Sequence, residues 1–129
     1  MSYYQDKIKQ LKENHYSNDK QIASIISVKN YIDTHYENDI NLDILSHNQF
    51  ISKFHLLRLF KRYYGLTPKQ YLIDKRIETS KTLLKKGTSV TETCFAIGFQ
   101  SLGSFSTLFK SRTGKSPSQY QKEQLSRSN

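Results

Sequence analysis

Apolar residues along this chain recur at steps of three and four, and polar breaks cut the pattern into helix-sized pieces. Ile22, Ile25, Ile26 and Ile32 mark the apolar stripe of a helix that starts at Asn18 or Asp19 and ends near Tyr36. Ahead of it, residues 1–18 are polar and lysine-rich, and Ile8 and Leu11 support only a short, frayed helix. "ENDIN" interrupts the pattern. Asn41 then fits the cap of a short helix over Leu42–His47, with Leu42 and Leu45 facing inward. Ser52 fits the next cap. Beyond it Leu56, Leu59, Phe60 and Tyr63 form a core stripe, while Phe54, Leu57, Arg58 and Lys61 form another. At about 100° per residue the two lie on nearly opposite faces. The second is basic, yet it carries Phe54 and Leu57 where a plain solvent face would be polar. Thr67 to about Lys86 reads as one helix of about 28 Å, carrying Leu72, Ile73, Ile77, Leu83 and Leu84 and stopped by Gly87. A short helix over Val90–Ala96, a turn at Gly98, a cap at Ser101 and a helix with Phe105, Leu108 and Phe109 inward complete the series.

One joint is written twice. "FKRYYGLTPKQY" (Phe60–Tyr71) and "FKSRTGKSPSQY" (Phe109–Tyr120) agree at six positions. Gly65 and Gly114 fit the left-handed residue that ends a helix. Thr67 and Ser116 cap the next helix, Pro68 and Pro117 fill its first position, and Gln70 and Gln119 complete a capping box. Leu66 can staple onto Tyr71. Lys115 stands in the matching place, which predicts a looser second joint. The duplication reaches further back: Leu42, Leu45, Ser52, Leu56 and Phe60 are answered by Val90, Thr93, Ser101, Phe105 and Phe109. The separation is 48 residues before the turn and 49 after it, so the second turn is one residue longer. Each copy is a short helix, a tight turn and a longer capped helix, the helix-turn-helix pattern. The expected fold is all-α, with two helix-turn-helix subdomains joined by a long central helix. The expected organisation is a polar segment 1–18, a first subdomain 19–66, a central helix and its stop 67–87, a second subdomain 88–124 and a tail 125–129.

From about Ile25 to Tyr120 the sequence resembles the arabinose-regulator (AraC/XylS) family of bacterial transcription regulators. The resemblance rests on "LDILS", "SKFHLLRLFKRYYGLTPKQYL" and Arg76 in the first half, and on "CFAIGFQSLGSFSTLFKSRTGKSPSQY" in the second. It implies seven helices and two recognition helices, about 52–64 and 101–113, entering adjacent major grooves on one DNA face. Successive grooves repeat about 34 Å apart, a spacing that a helix of about 28 Å and its flanks can set, so a monomer suffices on DNA. It also implies activation, and hence a contact to RNA polymerase. Ser46 and Cys94 replace a common alanine, Thr93 a usual apolar residue, and Thr107 an arginine often found at the place matching Arg58. The first half is therefore expected to supply most of the specificity. Eighteen polar leading residues cannot form the sensor domain most members carry, which leaves a stand-alone regulator or a fragment.

Charge agrees with a nucleic-acid partner: 20 Lys+Arg against 11 Asp+Glu give a net charge of +9, an excess that favours polyanions. Arg58 is the leading base-reading candidate, because a guanidinium can grip guanine O6 and N7 together; the alternative is a phosphate contact. Phe54 and Leu57 either touch thymine methyl groups or pack against a neighbouring helix. Leu102, Gly103, Ser104, Ser106 and Thr107 are the base-reading candidates of the second helix. Ser52, Lys53, His55, Lys61, Arg62, Ser101 and Lys110 are phosphate candidates. Gly65, Pro68, Gly98, Gly114 and Pro117 carry structure, as does Arg76, which locks packing rather than meeting DNA.

Other chemistry finds little support. His15, His35, His47 and His55 lack metal-ligand spacing relative to one another or to Cys94, and no cofactor is implied. Cys94 reads as a small buried side chain rather than a nucleophile. There is no phosphate cradle, catalytic triad or carboxylate pair, so an enzyme is not expected. A lone cysteine, no signal-like start and no membrane span place the chain in the cytoplasm, away from membranes. The competing reading is a helical protein-binding module that has lost specific DNA reading.

Overall fold

The computed structural model describes residues 2–128, with side chains for 2–11 and 18–127. Among these the fold is all-α: α1 Tyr3–His35, α2 Leu42–Gln49, α3 Lys53–Tyr64, α4 Pro68–Lys85, α5 Val90–Ala96, α6 Leu102–Thr113 and α7 Pro117–Ser128.

Two boundaries differ from the sequence pattern. α1 begins at Tyr3 rather than at Asn18 or Asp19, because no glycine or proline precedes Gly65 and nothing stops the helix from propagating through polar residues. α7 likewise runs through residues 125–128, expected as a tail.

The chain divides into two compact units, residues 1–31 with 42–68 and residues 32–41 with 69–129. In the first, Ile25 and Val28 of α1, Leu45 of α2 and Leu56, Leu59 and Phe60 of α3 are buried. The α1 stripe is narrower than its isoleucines suggest: Ile22 and Ile26 are exposed. Tyr63 is also exposed, and it is Tyr64 that lies against Phe60, ring centroids 4.8 Å apart.

In the second unit, Ile77 and Leu84 of α4 join Cys94, Ile97, Phe99, Phe105 and Phe109 in one core, with Tyr36 and Tyr120 packed against it. The segment 67–87, expected as a link of its own, thus belongs to this unit from Lys69 onward. The aromatic rings stack in series, Phe99 to Phe105 at 5.5 Å, Phe105 to Phe109 at 5.7 Å and Phe109 to Tyr120 at 5.3 Å. Each such buried ring contributes about 1.5–3 kcal/mol through area removed from water. Residues 32–41 are tied in by hydrogen bonds. The Tyr71 hydroxyl donates to Asp33 Oδ1 at 2.6 Å, and the Arg76 guanidinium donates to the carbonyls of Tyr36 (2.7 Å) and Asn38 (2.9 Å).

Candidate nucleic-acid interface

The two helix-turn-helix copies are closed by the same bonds. In the first, Ile51 N–H donates to Ser46 O at 3.2 Å; in the second, Phe99 N–H donates to Cys94 O at 3.1 Å. The residue before each donor has positive φ, Phe50 at 56° and Gly98 at 98°. Gly98 is also needed for space: a Cβ there would lie 2.8 Å from Glu37 O and 2.9 Å from Arg76 Nη2. Phe50 meets no such demand on its side chain, which is 93% exposed. After the closure the first copy goes straight to its cap, whereas the second inserts Gln100.

Ser52 Oγ accepts from His55 N at 3.1 Å, and Ser101 Oγ accepts from Ser104 N at 3.2 Å. These caps satisfy orphan amides and fix where α3 and α6 begin. Gly65 (φ 77°) and Gly114 (φ 82°) end both helices in the left-handed region, each donating to a lysine carbonyl, Lys61 or Lys110, at 2.8 Å. At the second joint Ser116 Oγ accepts from Gln119 N at 3.2 Å. Lys115, where the first copy has Leu66, pairs its ammonium with Glu123. Pro68 and Pro117 are buried at the first positions of α4 and α7.

Outward from the cores, α3 gathers Lys53, Phe54, Leu57, Arg58 and Lys61 along one face. Phe54 is 77% exposed, Lys53, Arg58 and Lys61 are exposed, and Leu57 and His55 are half-buried. Lys53 is engaged by Asp43 of α2 at 3.0 Å, a neutralising partner that the sequence spacing did not reveal. Arg62 lies beyond the stripe with its guanidinium 5.9 Å from the Tyr63 ring centroid.

On α6 the matching face holds Leu102, Gly103, Ser106, Thr107 and Lys110. Ser104 falls beside it, its hydroxyl accepting from Ser101 Oγ at 2.9 Å. Arg112 does not join the face; its guanidinium is 2.5 Å from Asp74 of α4. The α3 face carries the cations Lys53, Arg58 and Lys61, and the α6 face carries Lys110.

Arg76 is engaged within its own unit. Besides its two carbonyl partners it stacks over Phe99 at 5.5 Å. Burial pushes its pKa below the ordinary arginine value, with Asp39 acting oppositely. Cys94 is buried with its thiol pKa raised by burial and its Sγ 3.4 Å from Ser101 O, the environment of an inert thiol. Among the described residues, no cluster of three or more His, Cys, Asp or Glu could hold a metal. His15, weighed in the sequence as a possible ligand, lies outside the described side chains. No helix among the described residues is long and apolar enough to cross a membrane.

A family model described as a helix-turn-helix domain matches residues 45–123, a span that takes in most of α2 and all of α3 to α6. The chain belongs to the AraC-type helix-turn-helix family of transcription regulators. It is 38% identical over 92 residues to an HTH-type transcriptional regulator in the cgkA 5' region of Pseudoalteromonas carrageenovora, a match covering 71% of this chain and 55% of that protein. Two further curated regulators are spanned over only 40% and 39% of their length. Among solved structures it is similar to the C-terminal domain of AraT, a response regulator from Geobacillus stearothermophilus, at 26% identity and a TM-score of 0.75 over 78% of this chain and 84% of that one. It is also similar to the DNA-binding domain of AdpA, a global transcriptional factor solved in complex with a target DNA. There the identity is 25% and the TM-score 0.76, over 80% of this chain and 94% of that one. The chain thus carries an AraC-type DNA-binding domain. Its relatives are transcription regulators, not enzymes.

Proposed function

We propose that this protein is a sequence-specific, double-stranded DNA-binding transcription activator of the cytoplasm that places α3 and α6 in adjacent major grooves as a monomer. The observation that supports the reading is that α3 and α6 are each fixed by a serine cap and a left-handed glycine, each with an outward face free of core residues. The 18 residues of α4 rise about 27 Å, a length suited to one turn of B-form DNA. The activating sense and a contact to RNA polymerase rest on the resemblance to the arabinose-regulator family.

Arg58 is the base reader of the first groove, with Phe54 and Leu57 against neighbouring methyl groups. Lys61, Arg62 and Lys110 neutralise phosphates, and Lys53 does so by exchanging Asp43 for the backbone.

Selection of binding sites from random duplexes tests this. Two enriched blocks one helical turn apart are expected; a single block would reduce the second half to a grip on the backbone. Arg58→Ala is expected to cost about 1–3 kcal/mol on the best site and to relax one base preference, whereas equal weakening on all sequences would make Arg58 a phosphate contact.

A further inference from the structure

The outward face of α6 offers carbon and shape where a base reader ordinarily offers paired donors. Its first residue, Leu102, is 40% exposed. Gly103 follows, and a Cβ built there would meet nothing within 4 Å. Beside it opens a shallow hollow of about 380 Å³ lined by Gly103, Ser104, Thr107 and Leu108. Of the polar groups nearby, the Ser104 hydroxyl accepts from Ser101 and the Arg112 guanidinium is held by Asp74, so the face carries the single hydroxyls of Ser106 and Thr107 but no paired donor. Lys110, the face's cation, sits two turns further along, where a point charge suits a phosphate.

Four kinds of base pair present the major groove with donors, acceptors and a single apolar group, the C5 methyl of thymine. A surface without paired donors, opened by a glycine beside an apolar residue, tells bases apart most directly through that group and through steric fit. We propose that α6 is a methyl reader: Leu102, Gly103 and Thr107 accept pyrimidine C5 methyl groups and select thymine-bearing pairs in the second half-site. This rests on the placement of α6 in a major groove proposed above.

Once a two-block site has been selected, each thymidine of the second block is replaced by 2′-deoxyuridine, which removes the methyl and keeps the pairing edge. Affinity is expected to fall about fourfold per contacted methyl, the effect of exposing one methyl-sized group. Replacing a contacted thymine pair by 5-methylcytosine–guanine should bind more tightly than the same change to unmodified cytosine. Leu102→Ala should shrink the thymidine-to-deoxyuridine ratio. Gly103→Ala should raise thermal stability, alanine being the better helix former, and yet shrink the ratio by placing a methyl group where the pyrimidine methyl would approach the backbone, which separates folding from reading.

Equal binding of thymidine and deoxyuridine duplexes in an enriched second block would overturn the methyl reading and leave the two-groove placement standing. Full discrimination by Gly103→Ala would remove the hollow from the account. Absence of any second block would overturn both proposals.

Discussion

Thr93 is wholly buried, and its Oγ1 has no hydrogen-bond partner. It stands in the second copy where Leu45 stands in the first. An unmet buried hydroxyl costs about 1–3 kcal/mol, so Thr93→Val, which keeps the branched shape, is expected to stabilise the protein by about 1–2 kcal/mol. Denaturant unfolding checks this; a loss of stability would mean the hydroxyl is satisfied in solution. At this scale the sequence was legible where a residue type has one dominant use. Ser52, Ser101, Gly65 and Gly114 announce caps and stops. It was illegible where the backbone adopts a conformation the side chain does not advertise, as at Phe50, which holds the positive φ that glycine holds in the other copy. Ile22, Ile26 and Tyr63 show a second limit. Periodicity gives the direction of a core face, but only the neighbouring elements decide how wide it is.

Among the elements, α7 is secured twice. The Gln121 amide donates to Thr88 O at 2.6 Å and lies 3.1 Å from Leu84 O, at the end of α4. The Lys115 ammonium meets Glu123 and, mainly by that hydrogen bond, holds the Glu123 carboxyl below the usual glutamate range. A carboxyl with a lowered folded pKa stabilises the fold above its unfolded pKa, and that contribution disappears as pH falls through the lowered value. Glu123→Gln is therefore expected to melt slightly below the wild type at neutral pH, with the gap closing in strong acid; the effect is small because the pair is partly exposed. A gap unchanged by pH would assign the difference to packing. The length of α1 escaped the sequence pattern for a related reason. Residues 3–18 have no apolar stripe to reveal a helix, yet they contain nothing that ends one.

For the whole molecule, the basic residues proposed to meet phosphate are spread over both helix-turn-helix copies, three on α3 and one on α6. If Lys53, Lys61, Arg62 and Lys110 each neutralise one phosphate, log affinity should fall by about 3.6 per decade of salt, and Lys61→Ala should lower that slope by about one. A flat salt response, or no duplex affinity at low salt, would favour the protein-binding module instead. The duplicated helix-turn-helix pattern was readable from spacing, and the count of seven helices from the family resemblance. The division into units was not, because residues 32–41 join α4 to α7 through the bonds of Tyr71 and Arg76, which bridge some forty positions of sequence. One small difference between the copies has a mechanical meaning. Gln100 lies between two independently fixed structures, the closure on Cys94 and the cap at Ser101, so the seam carries an extra residue with both fastenings intact.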